Sequence, residues 1–127
     1  MKSILLVFIG AGAGGAARHI VNVGCGRLCG AEFPWGVFVV NLTGCFAMGV
    51  AAGWFAFRAG PAWSQDLRLF LTTGVLGGYT TFSAFALDTA TLWERGASIA
   101  AAGYVAASVV GSVAALFLGL ALVRTML

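Results

Sequence analysis

Four apolar runs, at about 4–24, 34–57, 67–95 and 97–123, take up nearly all of this 127-residue chain. Each is close to the ~20 residues that a helix needs to cross hydrocarbon. With 61% hydrophobic and 9% charged residues there is no soluble domain to set beside them. The chain therefore reads as one all-α integral membrane domain spanning 1–127, with four transmembrane helices. Met1 to Ile9 reads as the start of the first span, because the apolar run continues past the length of a signal-peptide core.

The third run is unlike the others. Leu69 to Leu76 and Phe85 to Trp93 read as helix, but between them lies Gly77-Gly78-Tyr79-Thr80-Thr81-Phe82-Ser83-Ala84-Phe85. Paired glycines weaken a helix, and the threonines that follow can cap a new one. In hydrocarbon, freed backbone groups cost several kcal/mol unless protein or a cavity satisfies them. A break at 77–81, near mid-membrane, therefore predicts an ion or substrate site.

The remaining polar residues are few. Asn41 lies inside the second span, where a carboxamide either bonds a neighbouring helix or lines a wet path. Tyr104, Ser108 and Ser112 recur every four residues, so their hydroxyls share one face of the fourth span. Gly10 and Gly14 in the first span, and Gly111, Ala115 and Gly119 in the fourth, form small-residue faces suited to close helix contact. The run Gly10 to Gly15 follows no strand and has no phosphate lysine, which excludes a nucleotide loop. Cys25, Cys29 and Cys45 have neither the companions nor the spacing of a metal site. His19 reads as a helix-terminal residue, and no acid–base pair of an enzyme can be assembled.

The basic residues divide almost evenly between the two sides. Lys2, Arg58, Arg68 and Arg124 fall on one, Arg18, Arg27 and Arg95 on the other. Orientation follows such differences, so a near tie predicts insertion both ways up and an antiparallel, dual-topology homodimer. The two breaks would then meet, and carbonyls freed near Gly77 and Thr80 would converge as hard oxygen ligands for Na⁺. The path itself offers amide and hydroxyl donors, no continuous acidic line, and Phe82 and Phe85 on one helical face. Ring edges are positive, so this set suits a small anion, although that spacing also suits plain packing.

Together these residues resemble the Fluc (CrcB) family of small fluoride channels. The resemblance rests on Gly10 to Arg18, on Phe33-Pro34-Trp35-Gly36 leading to Asn41 and Gly44, and above all on Gly77 to Phe85. It implies a passive fluoride-specific channel of the bacterial plasma membrane that lets fluoride out of the cytoplasm, with two pores per antiparallel homodimer. It also implies a pathway of Asn41, Phe82, Phe85, Tyr104, Ser108 and Ser112, with Thr81 and Ser83 beside them. A structural Na⁺ would sit on the Gly77 and Thr80 carbonyls, and Arg18 would make an electropositive entrance. Partners are a second copy, fluoride and membrane lipid, with no nucleic acid. The chain departs from the family pattern at Val37 and Ala84, where threonine is common. The alternative, a four-span exporter of the small multidrug-resistance type, needs an embedded carboxylate, for which only Asp88 is available.

Overall fold

The computed structural model describes residues 1–58 and 64–126, and among them all regular structure is helical. α1 (Lys2–Cys29) and α2 (Trp35–Phe57) come first. Next come α3 (Ser64–Arg68), a π-helical segment (Leu69–Leu76) and α4 (Gly77–Tyr79), which run on as one rod. α5 (Phe82–Glu94) and α6 (Ser98–Met126) complete the chain. Of these, α1, α2 and α6 are long and apolar enough to cross a membrane.

The helix limits differ from the expected ones in particular places. α1 runs past Gly24 to Cys29, so the loop expected from Gly26 begins at Gly30. Gly30 has φ 82, a left-handed backbone that stops the helix at little cost to glycine. The loop expected over 58–68 is already helical from Ser64, while its Gly60, Pro61 and Trp63 lie outside the described residues. Gly77 and Gly78 are helical, Gly77 with φ −63 and ψ −38. The residues that leave the helix are Thr80 (φ −79, ψ 157) and Thr81 (φ −153, ψ 118).

The segment Leu69–Leu76, expected to be α-helical, forms wider i→i+5 turns. Its neighbour explains why. A Cβ added to Gly10 would meet Phe70, Gly74 and Val75, and one added to Gly14 would meet Val75 and Tyr79. The positions facing α1 thus recur at steps of four and five, the repeat that a widened helix keeps on one side.

Packing follows membrane logic. The closest pairings are α2 with α6 and α1 with the π-helical segment. At these seams the buried residues are mostly small: Gly10 and Gly14 of α1, Gly74 of the π-helical segment, Gly49 and Gly53 of α2, Gly119 of α6. Large apolar side chains such as Phe8, Ile9, Val110 and Phe117 point outward. Lipid gives no hydrophobic drive between helices, so close backbone approach supplies the attraction. A small apolar cluster of Val37, Phe85, Leu92, Ala101 and Tyr104 joins α2, α5 and α6.

Candidate functional site: a cleft beside the helix interruption

The interruption between α4 and α5 forms one wall of a cleft of about 320 Å³. Thr80 ends the preceding rod: its backbone N–H donates to the Leu76 carbonyl at 3.0 Å and its hydroxyl donates to the same oxygen at 2.9 Å. Thr81 starts the next helix, its Oγ1 accepting from the Ala84 N–H at 3.2 Å, an N-cap that satisfies one of the first orphan donors. The other wall comes from α2 and α6. Asn41, Thr80, Thr81, Phe82, Phe85, Ser108 and Ser112 all line the cleft, with Cys45, Val109 and Val113 as apolar neighbours.

The two rings differ sharply in setting. Phe82 is 78% exposed and Phe85 8%, with ring centres 5.5 Å apart and planes tilted by 52°. Phe85 also packs on Tyr104 at 5.1 Å. Ser108 is buried, and among the described residues its Oγ is the buried side-chain polar atom with no hydrogen-bond partner. A hydroxyl left unpaired in a protein interior costs about 1–3 kcal/mol, so this group has donor and acceptor capacity to spare at the cleft wall.

Other residues singled out from sequence sit apart from the cleft. Tyr104 is fully buried, and its hydroxyl donates to Asp88 Oδ2 at 3.4 Å. Ser83 is exposed, with its Oγ 3.4 Å from Thr81 Oγ1. Arg18 is half-buried, and its Nη1 lies 3.5 Å from the Thr80 carbonyl, so its charge sits beside the interruption. His19 is exposed, and the three cysteines are free thiols.

A second cleft of about 290 Å³ lies where the ends of α1 and α5 meet the start of α2, lined by Asn22, Glu32, Asp88, Thr91 and Arg95 among others. Sequence reasoning did not anticipate it, since Asn22, Glu32 and Thr91 carry no spacing that joins them. The guanidinium of Arg95 donates to the Glu32 carbonyl and holds the rim. Val37 lines this cleft too, as a buried apolar side chain.

Comparison with known proteins bears on the family of the chain. The profile of the family described as "CrcB-like protein, Camphor Resistance (CrcB)" matches residues 5–120. The chain is 52% identical over 126 residues to a protein of Mesorhizobium japonicum named fluoride-specific ion channel FluC, covering 99% of each. It is 57% identical over 120 residues to FluC 2 of Nitrobacter hamburgensis, covering 94% of this chain and 95% of that one. Against the Granulibacter bethesdensis protein of the FluC name it is 53% identical over 127 residues, covering 100% of this chain and 98% of the relative. The family description speaks of camphor resistance, whereas these relatives carry the fluoride name. With a profile and relatives that span almost its whole length, and with three helices able to cross a membrane, the chain is a multi-pass membrane protein and belongs to the CrcB-like family.

Proposed function

We propose that this protein is an ion channel, not an enzyme, and that it passes fluoride selectively and passively out of the bacterial cytoplasm across the inner membrane. The observation that carries the reading is the cleft, which gathers Asn41 of α2, Thr81, Phe82 and Phe85 at the start of α5, and Ser108 and Ser112 of α6 around one space. The relatives' shared name adds the ion. A small, strongly hydrated anion must exchange its water for direct donors, and the Ser108 hydroxyl, without a hydrogen-bond partner among the described residues, is suited to that exchange. The edges of Phe82 and Phe85 add positive potential without a lysine that would hold the ion back. Ser83, exposed beside Thr81, and Tyr104, one turn from Ser108 on α6, extend the polar line at either end. Arg18 would raise the local potential at the entrance.

In this reading the rod 64–79 and α5 make a fourth, interrupted crossing, and two copies insert antiparallel as a dual-topology homodimer surrounded by lipid. The interruption also fits a structural Na⁺. Thr81 N–H, which a continuing helix would direct at the Gly77 carbonyl, donates instead to Asn41, so that carbonyl loses its helical donor. Among the described residues the Thr80 carbonyl receives the long contact from Arg18 and keeps lone-pair capacity. One chain offers few such oxygens, and an antiparallel copy doubles them. When bound, the cation would neutralise the converging carbonyl dipoles. An exporter reading is weaker, because Asp88 lines the other cleft and is engaged by Tyr104.

Expression in a bacterium made fluoride-sensitive by loss of its own export is expected to restore growth in fluoride medium. Growth no better than with an empty vector would reject the proposal. A sharper split comes from Ser108→Ala. Removing an unpartnered buried hydroxyl is expected to leave thermal stability equal or raise it by up to ~1 kcal/mol, while fluoride flux in liposomes falls. Unchanged flux would remove Ser108 from the pathway.

A further inference from the structure

We propose that Asn41 is a positioning residue, which acts by clamping the helix interruption from α2 more than by touching the permeating ion. A carboxamide carries the same donor and acceptor as a peptide unit. Asn41 uses both on one residue: its Oδ1 accepts from the Thr81 N–H at 2.8 Å, and its Nδ2 donates to the Thr81 carbonyl at 3.0 Å. The pairing resembles one rung of a β-ladder, and Thr81 has the extended backbone that such a rung requires, φ −153 and ψ 118. The Thr81 N–H, which the interruption takes out of helical bonding, is thereby satisfied away from water, where leaving it bare would be costly. The Thr81 carbonyl, which as the N-cap also heads α5, gains a second donor.

The same turn of α2 holds the two preceding residues. Thr43 donates its hydroxyl proton to the Val39 carbonyl at 2.7 Å, so the Tyr79 hydroxyl, 2.9 Å away, donates to Thr43 Oγ1. Gly44 is buried against the Thr80 methyl and the Tyr79 ring, where a Cβ has no room. Residues 79, 80 and 81 are therefore each matched by one of 43, 44 and 41. This leaves the Asn41 side chain a single uncommitted N–H. It also explains why asparagine is needed there: aspartate lacks the donor, glutamine is a methylene too long, and serine reaches only one of the two Thr81 groups.

The flux arm of the test rests on the fluoride-channel reading; the exchange arm does not. The full chain, reconstituted in liposomes, is compared with Asn41→Ala and with Asn41→Asp, which keeps the size of the side chain. Amide hydrogen exchange is read at Thr81 and, as reference, in α6. Asn41→Ala, which removes the acceptor of the Thr81 N–H, is expected to speed exchange at Thr81 by about tenfold or more with α6 unchanged. Asn41→Asp, which keeps that acceptor and loses only the donor to the Thr81 carbonyl, is expected to speed it less. Both are expected to lower fluoride flux. Ser112→Ala, in the same cleft but off the interruption, is expected to leave Thr81 exchange at the wild-type rate. Thr81 exchange that stays at the wild-type rate in Asn41→Ala would overturn the clamp, whatever the flux does. So would exchange that speeds equally in α6, the sign of general loosening. Absence of fluoride flux in the unsubstituted protein would instead reject the channel reading and leave the exchange result to decide the clamp.

Discussion

Phe82→Ile is expected to lower fluoride throughput by on the order of tenfold, the rate equivalent of one lost ring-edge contact of about 1.4 kcal/mol. Thermal stability and oligomeric state should stay as they are. The separation is available because Phe82 is 78% exposed in the protomer, so its ring adds little to the packing of its own chain. Phe85 is the instructive contrast. It is buried against Tyr104 and within the cluster of Val37, Leu92 and Ala101, so Phe85→Ile is expected to reduce both throughput and stability, the latter by about 1–2 kcal/mol. Flux measured beside thermal unfolding reads both. A Phe82→Ile protein with wild-type flux would assign the exposed ring to packing against lipid or a second copy and retire its role with the ion.

The largest expected effect on folding is at Gly14. A Cβ there would overlap the Val75 carbonyl and come within 2.8 Å of the Tyr79 backbone nitrogen and 2.9 Å of the Val75 carbonyl carbon. These are backbone atoms of the segment that leads into the interruption, and they cannot swing aside as a side-chain end does. Gly14→Ala is expected to cost about 3 kcal/mol, at the upper end for overpacking, and Gly14→Leu to abolish recovery of folded protein from detergent. Gly12 is the internal control: nothing lies within 4 Å of its added Cβ, and Gly12→Ala should behave as wild type or slightly better, given alanine's helix propensity. Equal stability of the Gly12 and Gly14 variants would contradict the close seam between α1 and the π-helical segment.

Much of this was legible because membrane chains have a narrow alphabet. Length and hydropathy fix helices, and glycine spacing points to the seams: Gly10, Gly14 and Gly119 all meet a neighbour's backbone. The polar residues of the third run mark the cleft, since Thr80 and Thr81 leave the helix and stand in its wall. What stayed hidden depends on three-dimensional partners. Gly77 and Gly78 look like the break but remain helical, and what Gly78 serves is close packing, since a Cβ there would meet the Ala11 backbone. The widened turn of Leu69–Leu76 follows from where α1 lies, which no local spacing encodes. Asn41 was legible as a buried amide, but not as the partner of Thr81, 40 positions away. Tyr104 shares a helix face with Ser108, yet its hydroxyl turns to Asp88.

The central claim, selective passive fluoride conduction, is tested most directly by anion efflux from liposomes that hold the purified protein. Fluoride is followed with an ion-selective electrode, the measurement is repeated with chloride, and valinomycin dissipates the opposing voltage. The account predicts rapid loss of fluoride with chloride retained. Retention of both ions by folded protein in the presence of Na⁺, or equal loss of the two, would contradict it.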